Sequence, residues 1–142
     1  MGKIVVGVDG SVGSRSALRW AHAEAVLRSC PLEVVLVWQF PVMTSLPAFG
    51  AVPPPEDLSG DSEASLQATL QEEGVASTDA VPVTATVAEG AAAAALIEVA
   101  KDADLLVVGS RGRGGFTGLL LGSVSQQCTM HGRCPVVVVP AE

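Results

Sequence analysis

The chain has 142 residues, a formal net charge of −7, 49% hydrophobic residues and 16% charged residues. The length suits one compact domain, residues 1–142, and the apolar content supports a buried core rather than a disordered tail. The negative charge repels nucleic-acid phosphates and so disfavours non-specific DNA or RNA binding. No run reaches the ~18 apolar residues of a membrane span.

In chain order, residues 3–9 (KIVVGVD) form a continuous apolar run ending in a carboxylate, which reads as a buried strand. Ser11 is placed to cap a helix carrying Ala17, Leu18, Ala21, Ala25 and Leu27 at helical spacing. Residues 32–38 (LEVVLVW) are a second strand. The stretch 39–58 holds five prolines and reads as a long loop. Residues 59–73 carry helix formers, with Leu66 and Leu70 four apart. Residues 81–87 (VPVTATV) are a strand, and Pro82 implies an edge or a strand start. An Ala-rich helix over 90–101, a strand over 104–109, a short helix over 122–131 and a last strand over 135–139 follow. Strands alternating with helices imply a parallel sheet with right-handed crossovers. Such a sheet binds ligands at the carboxyl ends of its strands.

Basic charge is scarce. No Lys or Arg occurs between Arg28 and Lys101, where ten carboxylates fall, yet Arg111 and Arg113 stand together in a glycine-rich segment. Three cysteines, Cys30, Cys128 and Cys134, lack framework spacing and read as reduced thiols. Cys128, His131 and Cys134 have no fourth ligand nearby, which argues against zinc. No targeting segment is recognisable, so the expected location is the cytoplasm.

The richest segment is 108–125, VGSRGRGGFTGLLLGSVS. Glycines after a parallel strand let backbone N–H groups approach a ligand. Gly122 and Ser123 then open a helix, whose unpaired amides and dipole favour phosphate. Ser123 and Ser125 add hydroxyls, and Arg111 adds a charge. No Walker A loop and no GxGxxG fingerprint are present, which disfavours P-loop ATPases and NAD-dependent enzymes.

The spacing Gly109-x2-Gly112-x9-Gly122-Ser123 resembles the motif of ATP-binding universal stress proteins, and VGVDGS resembles that family's first strand. The resemblance runs along essentially the whole chain. It implies an open five-stranded parallel sheet of order 3-2-1-4-5 with helices on both faces, like the adenine-nucleotide α-hydrolases. It further implies that Gly7, Val8 and Asp9 line the adenine and ribose side and that Val37 touches the adenine. Val108, Gly109, Arg111 and Gly112 would hold ribose and phosphates, while Gly122, Ser123, Val124 and Ser125 would close over the phosphates. Where the family often has His, this chain has Arg111. The Pro-rich stretch after the second strand also departs from the family pattern. Dimerisation through strand 135–139 is implied as well; burial of that strand under the domain's own helices is the alternative.

Several residues carry a second reading. Asp9 could cap the first helix or hold Ser11, and Ser11 is read mainly as a cap. Arg113 reads as a surface charge, and Trp20 and Trp38 as core or pocket wall. The functional expectation is a nucleotide-binding regulatory protein that takes ATP, or ADP or AMP, with Mg²⁺ on the phosphates. Asp9 is the one obvious carboxylate at the expected site, so hydrolysis should be slow at most and no catalytic residue is assigned. The rivals are a dimeric interaction module without nucleotide and an adenylating enzyme of the ATP-pyrophosphatase type.

Overall fold

The computed structural model describes residues 2–38, 55–110 and 121–140. The five apolar runs form strands β1 (Ile4–Val8), β2 (Leu32–Trp38), β3 (Val83–Glu89), β4 (Leu105–Gly109) and β5 (Val136–Val139). Between them lie helices α1 (Val12–Arg28), α2 (Pro55–Glu72), α3 (Ala92–Val99) and α4 (Ser123–His131). All strand pairs are parallel and the sheet order is β3-β2-β1-β4-β5. This is the order that the family resemblance implies. Chain order reverses between β1 and β4, and that is where a doubly wound sheet opens a crevice at its carboxyl edge.

Side-chain alternation gives each central strand two apolar faces. Ile4, Val6, Val8, Val34 and Val107 pack with Ala17, Leu18 and Ala21 of α1 and Leu66 and Leu70 of α2. Val5, Val35, Leu106 and Val108 pack with Leu96 of α3 and Cys128 of α4 on the opposite face. Fully buried side chains such as Ile4, Leu18, Leu32 and Leu106 each contribute about 1.5–3 kcal/mol over their exposed state. The alanines of α1 bring that helix close to the sheet. Leu27, grouped with them by its spacing, instead lies on the solvent side at 79% exposure.

Element boundaries depart from the sequence reading for local reasons. Helix α2 begins at Pro55, not residue 59, so residues 55–58 of the expected loop are helical; a proline fits a first helical turn, where its missing N–H has no helical partner. Residues 39–54 lie outside the described residues. Strand β3 covers 83–89 rather than 81–87. The Val81 amide bonds Thr78 Oγ1 (3.0 Å) in a turn, and Pro82 offers only its carbonyl, which accepts from Leu32 N (2.9 Å). β3 is an edge strand, as Pro82 suggested. Helix α3 starts after Gly90, whose φ of +127° lies in the region that favours glycine.

Candidate functional site

The carboxyl ends of β1 and β4 each lead into a helix start, and the two starts are built differently. After β1, Gly10 turns the chain with φ +85°. Ser11 then caps α1: its Oγ accepts from Ser14 N at 3.1 Å. Asp9 Oδ1 accepts from Ser11 N at 2.9 Å. Ser14 Oγ accepts from Asp9 N (3.2 Å) and donates to Ser11 O (3.1 Å). At the α1 terminus the Ser14 amide is thus taken by a capping side chain, while those of Val12 and Gly13 have no acceptor among the described residues. Asp9 takes the structural role that the sequence left open beside nucleotide contact.

After β4 the pattern changes. Helix α4 has Gly122 at its cap, extended at φ −75° and ψ 172°, with no side-chain cap. The first bond of the helix is Gln126 N to Gly122 O, 2.9 Å. The amides of Ser123, Val124 and Ser125 have no acceptor among the described residues. Together with the helix dipole they form a site that favours an anion.

This terminus is held by one carbonyl. Ser110 O accepts from Gly122 N at 2.6 Å and from Ser125 Oγ at 2.9 Å. Ser125 Oγ lies 3.0 Å from Gly122 O as well, and the residue is 2% exposed. Ser110 N in turn donates to Val139 O of β5 at 2.8 Å. Ser125 therefore directs its hydroxyl inward, and its amide faces the helix start. Ser123, by contrast, is exposed.

The remaining expected residues fall into four groups. Val8 and Val108 are core side chains on opposite faces of the sheet. Gly7 is matched to Leu96: a Cβ there would stand 2.7 Å from a Leu96 methyl. Gly109 is matched to α1: a Cβ there would stand 2.8 Å from Gly13 O, so a side chain would push the capped helix off β4. Val37 and Val124 are partly buried on the α3/α4 face; Val37 pairs with Ala88 across β2 and β3. Arg111 and Gly112 lie outside the described residues. Ser110, Gly13 and Leu96 were not singled out by sequence; a serine directly after the fourth strand and a glycine inside VDGSVGS are the signals that mark the first two.

Charge near α1 is already engaged. Arg15 pairs with Glu72 (2.8 Å) and Glu73 (3.2 Å), and Arg19 pairs with Glu73 (2.8 Å), joining α1 to α2. The hydrogen bond from Arg19, seconded by Arg15, holds the Glu73 carboxyl below its ordinary range. Burial pushes the Cys128 thiol up to about 11, with Cys134 adding to the rise, so it is a core residue rather than a thiolate ligand. No group of three or more potential metal-ligating side chains occurs among the described residues.

These features define a doubly wound α/β domain with an uncapped helix start at the carboxyl edge of its central strands. Residues 1–140 match the model of the universal stress protein family, and the chain belongs to that family. It is 37% identical over 145 aligned positions to a universal stress protein of Mycobacterium tuberculosis, covering 98% of this chain and 48% of the relative. The chain thus spans about half the length of the curated relatives it matches. Among solved structures, the universal stress protein UspA of Lactobacillus plantarum superposes with a TM-score of 0.77 at 21% identity, over 97% of both chains. A universal stress protein in complex with cAMP superposes at 0.72 and 26% identity, over 99% of this chain and 98% of that one. One from Archaeoglobus fulgidus in complex with dAMP superposes at 0.63 and 24%, over 97% of each.

Proposed function

We propose that this chain is a nucleotide-binding regulatory protein that takes ATP, or ADP or AMP, at the carboxyl ends of β1 and β4. The observation that carries the reading is the start of α4, where three successive amides lack a partner among the described residues. Ser123, Val124 and Ser125 would offer those amides to phosphate oxygens, beside Gly122 at the cap. Arg111 and Gly112 would supply charge and close backbone approach from the preceding segment. Asp9, Gly7 and Val8 would border the ribose and adenine side, with Val37 against the base. Mg²⁺ would ride on the phosphates, which are the usual ligands for a hard cation. Binding of cAMP and dAMP by the two solved relatives supports an adenine nucleotide as the ligand class.

The reading makes the protein a binder with slow hydrolysis at most. Asp9, directly after β1, already accepts a backbone amide, and efficient phosphoryl transfer needs a positioned base or water. A homodimer through β5 belongs to the same reading. That strand ends the sheet and its four valines are only partly buried, which leaves an edge suited to a second copy. The free thiols of Cys30, Cys128 and Cys134 agree with a reducing, cytoplasmic setting.

A thermal shift experiment with ATP tests the proposal. Ligand at 100 times its dissociation constant stabilises the folded state by about 2.7 kcal/mol. A clear rise in melting temperature with millimolar ATP is expected. No rise would favour an interaction module without nucleotide, and ATP-dependent release of pyrophosphate would favour the adenylating enzyme.

A further inference from the structure

We infer that the Ser125 hydroxyl positions the phosphate site rather than binding phosphate, an inference that rests on the nucleotide-binding reading above. The Ser125 side chain is almost wholly buried, and its hydroxyl points away from the open end of α4. A hydroxyl has one hydrogen, and here both oxygens within reach are backbone carbonyls, Ser110 O at 2.9 Å and Gly122 O at 3.0 Å. Ser110 O already takes the Gly122 amide at 2.6 Å. The Ser125 hydroxyl and the Gly122 amide therefore grip the same oxygen from the helix side and from the cap side.

The consequence is geometric. The amides of Ser123 and Val124 are aimed by the first turn of α4, and that turn is fixed to the end of β4 through Ser110. Ser110 is itself anchored to the neighbouring strand by the bond from its amide to Val139 O. Anion recognition by backbone amides depends on where they point, and a terminus that rocks loses its convergence on one phosphate. The Ser125 hydroxyl thereby fixes the direction of the backbone donors without being one of them. It would serve phosphate binding without touching phosphate.

The test compares ATP with adenosine in the wild-type chain and in Ser125→Ala and Ser125→Thr. Alanine removes the hydroxyl, keeps helix propensity and leaves Ser110 O its bond from Gly122. Ser125→Ala should bind ATP roughly fivefold more weakly or worse, the scale of one lost hydrogen bond, while adenosine changes less than about twofold. Ser125→Thr, which keeps the hydroxyl, should recover most of the ATP affinity. A general loss of structure would weaken both ligands alike, so an unchanged ratio of ATP to adenosine affinity in Ser125→Ala overturns the inference. Hydrogen exchange on the wild-type chain needs no variant: the Gly122 amide should be protected without nucleotide, while those of Ser123 and Val124 gain protection only with ATP. A Gly122 amide that exchanges as freely as its two neighbours also overturns it. A wild-type chain that binds neither ATP nor adenosine sinks the nucleotide reading itself, and this inference with it.

Discussion

The helices that follow β1 and β4 meet the same problem, and one has a side-chain cap where the other has none. Every helix start presents amides with no partner in the helix. At α1 the chain answers with its own side chains: Ser11 caps, Asp9 braces Ser11, and Ser14 closes the turn. At α4 it places glycine at the cap and leaves the next three amides without an acceptor among the described residues. The difference teaches where stability and binding are separated. The α1 start is part of the scaffold, and the α4 start is kept available, its exit angle fixed by Ser110 and not by a capping side chain.

That contrast can be broken from either side. The largest effect should come from Gly109→Val, which drives a branched side chain into Gly13 O and pries the capped helix from β4. Stability should fall by about 3 kcal/mol, the upper end of overpacking costs, measured as a shift of the urea midpoint at constant slope. Next, Gly122→Asp would give α4 the kind of cap that α1 has; the observed backbone angles at 122 are those of a cap residue. We expect a gain of a few tenths of a kcal/mol in stability together with about tenfold or greater loss of ATP affinity, because the new carboxylate takes the amides and repels phosphate. A variant that is stabilised and still binds ATP as before would show that the α4 amides are not the phosphate site.

Ser11→Ala makes the reciprocal change. It should cost about 1 kcal/mol of stability by calorimetry and leave ATP affinity within about twofold, since the lost cap serves the scaffold. The smallest effect concerns the ion pairs that dock α2 on α1. The folded Glu73 carboxyl titrates below its ordinary range, so its contribution is present at neutral pH and disappears as pH falls through and below that range. The stability difference between wild type and Glu73→Gln should therefore be modest at pH 7 and shrink in acid. A difference that grows on acidification would contradict the pairing.

Much of this architecture is legible in the residues. Short continuous runs rich in Val and Leu read as strands covered on both sides, and their alternation with helical segments leaves a parallel sheet as the consistent answer. The glycine spacing from Gly109 to Gly122 marks the segment where β4 hands over to α4. What the sequence does not convey is which duty each glycine or serine performs. Gly7 and Gly109 read as room for a ligand, yet each is matched to a protein neighbour, Leu96 and Gly13, that becomes adjacent only once the sheet is assembled. Ser123 and Ser125 look alike in sequence; helix geometry turns one outward and the other against a carbonyl fifteen residues earlier. Boundaries slipped where prolines and turns decide, at Pro55 and at Pro82. The segment holding Arg111 and Gly112 lies outside the described residues, so its expected part rests on the motif.

The central claim is that backbone amides at the start of α4 receive the phosphates of a nucleotide. Amide-resolved NMR of the ¹⁵N-labelled wild-type chain, titrated with ATP and separately with adenosine, tests it most directly. The account predicts that ATP moves the Ser123 and Val124 resonances strongly, in the direction of new hydrogen bonds, and that adenosine leaves them nearly unchanged. Saturation with ATP while those two resonances stay in place would contradict it.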